Sequence, residues 1–444
     1  MGKTTFGLMD KARDELTKRF LARKVRSEVA EMSPIALAPN GQWAHIPDTF
    51  CRFDRHPGYE KILVPQVAAN RLGLSNPFFI SHDGVAGATT QIDGRTFINF
   101  SSYNYLGLSG HPKINKAAKD AIDRYGTSTS ASRLVAGERP IQRELEEALA
   151  ELHGVDDCVV FVSGHATNVS TIGYLFGPKD LIIHDALIHN SSLEGIKLSG
   201  ASRRSFPHND CVALDTILSE LRGQFERVLI VVEGLYSMDG DIPDLPRLID
   251  IKTRHKAFLM VDEAHSLGVL GQTGRGIREH FDLPGKSVDI WMGTLSKTLA
   301  SCGGYIAGEK ALVQNLKYSA PGFIYSVGIS PPLAACALEA VKLMLAEPER
   351  VARLHERAAQ FLSLARQHGI DTGLSQGFAV TPAIMKSSLK AVRVSNRLLA
   401  QGINVQPIIY PAVEERVARL RFFISSAHTE AQLRTATEIL AANS

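Results

Sequence analysis

Five short apolar runs, at residues 158–163, 181–184, 227–232, 257–262 and 288–292, recur with segments of helical spacing between them. Strands that alternate with helices along a chain pair in parallel through crossovers of one hand. The rhythm therefore predicts an α/β fold built on a doubly wound, mostly parallel sheet. In open sheets of this kind ligands bind outside the carboxyl ends of the strands, so function is sought just after each run. Beyond about residue 330 a long helical stretch (333–345, continuing to 367) leads to a smaller C-terminal α+β region ending near Ser444.

The last of the five runs leads into Gly293-Thr294-Leu295-Ser296-Lys297-Thr298, a lysine among small and hydroxylated residues with no acidic residue near it in sequence. An amine held where its charged form is disfavoured has a lowered pKa and becomes a usable nucleophile. Taken alone, such a lysine reads more readily as one snorkelling to solvent from a strand end. The run 257–262 shifts the balance, because Asp262 stands at its end and His265 follows. A carboxylate for a pyridinium nitrogen and a lysine able to form an imine are what a pyridoxal phosphate site requires. After the first run, Ser163-Gly164-His165 opens a helix. The free N–H groups and positive end of a helix suit a phosphate; the same glycine also suits a plain strand-to-helix turn.

The order of these motifs resembles that of the α-oxoamine synthases, pyridoxal-phosphate enzymes of the fold-type I transferase superfamily. The resemblance runs from about Phe100 to the C-terminus and includes Ser101-Ser102-Tyr103-Asn104-Tyr105-Leu106-Gly107 and Glu233-Gly234-Leu235-Tyr236-Ser237-Met238-Asp239. It implies that Lys297 carries pyridoxal 5′-phosphate and later serves as base and acid. It implies that Asp262 holds the ring nitrogen, that His189 stacks on the ring, and that His265 and Ser237 approach its phenolic oxygen. Ser163, Gly164, His165, Thr294 and Ser296 would surround the phosphate. Asn104 would lie on the substrate-entry segment. Arg421 would grip the substrate carboxylate, a task for a bidentate guanidinium, with Arg419 assigned to the opposite face of the same strand. Ser326, in a loop that reaches across a homodimer, would touch the neighbouring subunit's phosphate. The implied reaction joins a small α-amino acid (alanine, glycine or serine) to an acyl thioester of coenzyme A or an acyl-carrier protein, releasing CO2, a thiol and an α-aminoketone. Among family members the chain looks most like those associated with polyketide or carrier-protein systems.

Three segments depart from the family pattern. Glycines common near Gly126-Thr127-Ser128-Thr129-Ser130-Ala131-Ser132-Arg133 are replaced here by Thr, Ser and Ala. The Pro-Pro-Ala-Thr loop of serine-using relatives reads Ile409-Tyr410-Pro411-Ala412-Val413, and glycine-using relatives also carry Tyr-Pro there. The loop with Ser326 is one residue longer than usual.

The 444 residues allow a domain plan of 1–60 (N-terminal helix and linker), 61–100 (strand segment), 101–330 (large cofactor-binding domain) and 331–444 (small domain). Met9, Ala12, Leu16 and Phe20 recur at helical spacing and predict an amphipathic helix, either packed on its own subunit or docking to a partner. Residues 36–60 read as irregular connection. A net charge of +3 gives no argument for nucleic acid. No apolar run approaches the roughly 18 residues of a membrane span. Five cysteines without metal-finger spacing, and no apolar signal core, fit a reduced, cytoplasmic protein. His184, Asp185 and His189 match no strong zinc spacing. Two other readings stay open: a different fold-type I reaction (aldol cleavage or transamination), and a non-catalytic partner subunit, against which Lys297 itself argues.

Overall fold

The structure, a computed structural model, describes residues 46–444. The chain divides into two compact units, Met1–Phe79 and Ile80–Ser444. The described part of the first holds two short 3-10 turns, Asp48–Phe50 and Phe53–Arg55, and the helix Pro57–Arg71. The amphipathic helix expected around Met9 to Phe20 lies outside the described residues. The expectation of irregular chain to residue 60 and strand from 61 is corrected here. Pro57 is preorganised for a first helical turn, and Lys61, Gln66 and Ala69 favour its continuation.

Strands begin only in the second unit. β1 (Thr89–Ile92) and β2 (Arg95–Asn99) form an antiparallel hairpin with Ile92 opposite Arg95. Asp93 and Gly94, at φ 48° and 72°, supply the two left-handed residues that a tight hairpin turn needs.

Seven strands follow: β3 (Asp157–Phe161), β4 (Leu181–Asp185), β5 (Ser202–Phe206), β6 (Val228–Glu233), β7 (Phe258–Asp262), β8 (Ile290–Thr294) and β9 (Gly304–Gly308). They make one sheet in the order β3-β9-β8-β7-β6-β4-β5, with β9 alone antiparallel to its neighbours. Five of the seven coincide with the apolar runs to within two or three residues. β5 and β9 are additional. β5 is the polar segment Ser-Arg-Arg-Ser-Phe, tolerated because an edge strand need bury little. β9 is glycine-flanked, and a Cβ on Gly304 would stand 2.6 Å from the backbone of Gly164.

Both faces of the sheet are buried, as the unbroken apolar runs require. Val160, Ile183, Ile230, Val261 and Trp291 pack on one side; Val159, Ile182, Leu229, Met260 and Ile306 pack on the other.

C-terminal to these lie the helices Pro331–Ala346 and Glu349–Gln367, separated at Glu347-Pro348 because proline disfavours helical geometry in the residue before it. β10 (Val380–Ile384), β12 (Gln406–Ile408) and β13 (Arg419–Phe423) form an antiparallel sheet in the order β10-β13-β12. Between them in sequence, β11 (Ile403–Asn404) pairs in parallel with β2, Ile403 opposite Ile98. No helix among the described residues is long and apolar enough to cross a membrane.

Candidate active site

Four neighbouring strands of the large sheet end on polar residues: Asp185 on β4, Glu233 on β6, Asp262 on β7 and Thr294 on β8. The loops beyond β3, β4, β7 and β8 surround a cavity of about 290 Å3 lined by Ser163, Gly164, His165, His189, Asp262, His265, Thr294, Ser296 and Lys297, together with Asn168, Ser191, Glu233 and Cys302. Nine residues singled out in the sequence thus meet in one place.

At one end is a phosphate-sized cradle. Ser163 caps the helix Gly164–Leu175, its hydroxyl accepting from Ala166 N, and the first N–H groups of the helix stay free. A Cβ at Gly164 would come within 2.8 Å of Thr294 Oγ1, so glycine lets the helix end approach β8. The hydroxyls of Thr294 and Ser296 lie 2.8 Å apart.

At the other end Asp262, buried, accepts from Ala264 N (2.9 Å) and from Asn168 Nδ2 (2.9 Å). Asn168 also donates to Ser191 Oγ, and Ser191 Oγ stands 2.7 Å from His189 Nδ1. One amide therefore ties the carboxylate to the histidine that begins the next helix, Asn190–Ser199. Asn168 Oδ1 has no partner. Glu233 is wholly enclosed; Oε2 accepts from Ser237 N and Oε1 has no partner. Burial, then repulsion from Asp262, pushes its carboxyl up to about 8.

Lys297 stands between this cavity and a second one of about 400 Å3, lined by Lys297, Ser296, Tyr103, Asn104, Ser102 and His82 among others. Desolvation lowers its amine to about 8, with Arg421 helping and Asp262 and Glu233 opposing. Its Nζ lies 5.6 Å from the centre of the Tyr103 ring. Asn104 itself is committed to its own loop, donating to Ala86 O and accepting from Ser109 N. His265 is stacked near-parallel to Phe423 and held well below its usual pKa by burial and by the charges of Lys297 and Arg421.

Arg421 and Ser237 stand behind the cavity wall. Arg421 lies over Phe423 at 4.6 Å; its Nη1 donates to Ser237 O (3.1 Å) and stands 3.3 Å from Met238 Sδ, and its buried Nε has no hydrogen-bond partner. Arg419 does not face the opposite way. Residues two apart on a strand share a face, and Arg419 accordingly reaches the same loop, pairing with Asp239 at 2.7 Å and with Met238 O. Ser326 lies apart from the cavity, beside Arg133 and Phe323.

A second cluster braces the rim. His208 bridges two buried aspartates, Nδ1 2.9 Å from Asp185 and Nε2 2.8 Å from Asp241. Burial opposes its charge, but the two carboxylates outweigh it and raise the imidazolium to about 10. Asp185 also accepts from Leu187 N and Asn209 N. The loops that carry His189 and Ser237 are joined through this ring and through Asn209, whose N donates to Asp185 and whose Nδ2 donates to Asp241.

Asn168, Glu233 and His208 had no role in the sequence reading. Asn168 was legible as the residue one helical turn beyond Gly164, and Glu233 as the acid ending an apolar run. Nothing local marks His208, whose partners lie 23 and 33 residues away.

A lysine with a depressed pKa, a buried aspartate on an adjoining strand, a helix end with spare N–H groups and an open cavity between them define a pyridoxal-phosphate site, and the residues present fit that cofactor. The family model for aminotransferase class I and II matches residues 95–440. The chain is 41% identical over 342 residues to the 8-amino-7-oxononanoate synthase of Symbiobacterium thermophilum, covering 77% of this chain and 87% of that one. It is 38% identical over 349 residues to the 4-hydroxy-2,2'-bipyrrole-5-methanol synthase PigH of a Serratia species, covering 79% of this chain and 53% of that one. A serine palmitoyltransferase structure solved with its pyridoxal-phosphate internal aldimine superposes with a TM-score of 0.83 at 28% identity, covering 87% of this chain and 97% of that one. The chain belongs to the aminotransferase class I and II family, among its pyridoxal-phosphate-dependent acyltransferases.

Proposed function

We propose that the protein condenses a small α-amino acid (alanine, glycine or serine) with an acyl thioester, releasing CO2, the thiol and an α-aminoketone. The observation that carries this reading is the position of Lys297, a depressed amine forming the common wall of two cavities. One is shaped for the cofactor and the other leaves room for a second substrate.

Pyridoxal phosphate, when bound, withdraws electrons from the substrate Cα. Asp262 keeps a ring nitrogen protonated, and Asn168 holds Asp262 in place for that purpose. His189 covers the ring face. Ser163, Gly164, His165, Thr294 and Ser296 receive the phosphate, and Ser237 supports the ring's phenolic oxygen from behind Glu233. Arg421 receives the amino acid's carboxylate through its guanidinium. Lys297, near its own pKa at neutral pH, gives and takes the proton at Cα. Asn104 shapes the entrance. In a homodimer Ser326 reaches the partner's phosphate; the exposed side chains of Tyr325, Val327, Leu134 and Val135 supply an apolar face beside it. The acyl donor is an acyl-carrier protein or coenzyme A thioester.

The test is an absorbance titration of the purified, cofactor-loaded protein with glycine, alanine and serine, followed by assay of CO2 and free thiol with acyl-coenzyme A and acyl-carrier-protein donors. A band that shifts with one amino acid, and thiol released only when both substrates are present, is expected. Product formation without a thioester would refute the condensation. Lys297→Ala is expected to abolish both the bound-cofactor band and thiol release; survival of the band would exclude Lys297 as the attachment point.

A further inference from the structure

We infer that Tyr105 fixes the tautomer of His265, so that the ring presents an N–H rather than a lone pair to the cofactor cavity. Tyr105 is fully buried, and its hydroxyl lies 2.7 Å from His265 Nδ1. The phenol makes no other hydrogen bond among the described residues. A buried O–H without an acceptor forfeits about 1–3 kcal/mol, so the phenolic proton points at Nδ1. A nitrogen that accepts is unprotonated, and in a neutral imidazole the proton then resides on Nε2. The reverse arrangement, Nδ1–H donating to the phenol, would leave the phenolic proton with no acceptor in an apolar pocket formed by Phe423 and its neighbours.

The ring is also kept neutral. Burial disfavours a positive charge on it, and the charges of Lys297 and Arg421 beside it disfavour one further. Phe423 stacks on the ring at 6.2 Å and 8°, and the Tyr103 ring meets it edge-on at 5.9 Å. These contacts hold the plane, and Tyr105 sets the protons within it. Tyr105 is placed in turn by the chain beyond β13: Ser426 N donates to Tyr105 O, and Ser425 Oγ donates to Asn104 O.

A fixed Nε2–H makes His265 a donor to an oxygen that carries negative charge, whether on the cofactor or on the reacting acyl group. Nε2, already carrying its hydrogen, has no lone pair with which to accept a proton, and protonation at Nδ1 would make the ring cationic and displace the Tyr105 proton. Proton transfer at Cα is thereby left to Lys297. Tyr105 touches neither substrate nor cofactor in this account; it is a positioning residue, and the inference rests on the placement of His265 in the proposed site.

The test is long-range 1H–15N correlation on protein labelled with 15N-histidine, recorded with and without pyridoxal phosphate and assigned by loss of signals in His265→Asn. The expected wild-type result is the neutral Nε2–H pattern in both forms, unchanged across neutral pH. In cofactor-free Tyr105→Phe the two ring nitrogens should move toward averaged values, and in the cofactor-loaded variant kcat should fall about tenfold with little change in KM for the amino acid. An Nδ1–H pattern or a protonated ring in the wild type would overturn the inference without needing the variant. So would a Tyr105→Phe spectrum identical to wild type. Because the spectra are read without substrate, failure of the proposed condensation would leave them unaffected.

Discussion

Replacing His208 by glutamine removes the cation that joins Asp185 to Asp241. The rise of the imidazolium from 6.5 to about 10 corresponds to at most about 5 kcal/mol of stabilisation. Breaking a buried pair by deleting one partner costs about 3–5 kcal/mol. Asp185 would retain Leu187 N and Asn209 N, and Asp241 would retain Asn209 Nδ2, which places the loss near about 3 kcal/mol at pH 7. The pH dependence has a definite sign. A group whose folded-state pKa is raised stabilises fully below its unfolded pKa and loses that contribution as pH climbs through the folded value. The gap between wild type and His208→Gln should therefore be widest below about pH 6.5 and shrink toward about pH 10. Urea unfolding of the cofactor-free proteins, followed by near-ultraviolet circular dichroism over that range at constant ionic strength, measures the gap directly. A gap that is constant with pH, or that widens toward alkaline pH, would refute a cationic His208.

At pH 7 the Glu233 carboxyl, with its pKa near 8, is mostly protonated, so Glu233→Gln should retain cofactor affinity within about twofold of wild type while removing an alkaline loss of affinity near that pKa; a large loss at neutral pH, read by fluorescence titration, would contradict this. Arg421→Lys should raise KM for the amino acid by about 10–100-fold because an ammonium cannot make the planar two-point contact, and steady-state kinetics with an unchanged KM would remove Arg421 from the carboxylate site. Ser130, at φ 51°, occupies a left-handed conformation that glycine adopts at no steric cost. Ser130→Gly should therefore raise stability by about 0.5 kcal/mol, visible as a melting temperature higher by roughly 1 °C.

The large sheet was legible because each central strand is buried on both faces and so shows as an unbroken apolar run. β5 and β9 escaped for the opposite reason: one is a polar edge, and the other has glycines where side chains would collide with the phosphate-side helix. The candidate site was legible where its residues lie at or just after the end of a run. Asp262 and Thr294 end their strands, Lys297 follows β8 by three residues, and Gly164 opens the helix after β3. What local pattern cannot show is which distant groups meet. Asn168 and Asp262 are 94 residues apart, and Tyr105 and His265 are 160 apart. The placement of Arg419 failed on strand geometry: its two-residue offset from Arg421 puts both on one face, where the first is consumed by Asp239 and the second is left with a free donor.

The pairing of β2 with β11 sets the order in which the molecule can be finished. Ile98 and Asn99, paired locally with the β1 side, find their second partners only after Ile403 and Asn404 have been made, and the turn with Tyr105 waits for Ser425 and Ser426. Closing a loop of some 300 residues carries a large entropic penalty and slows the step that depends on it. A nascent chain can build the parallel sheet, with Asp262 and Lys297 already side by side, while the ring of His265 still lacks its phenolic neighbour. The catalytic pocket is thus completed from the last tenth of the polypeptide, and a chain cut short before β13 would carry a formed sheet with an unassembled entrance.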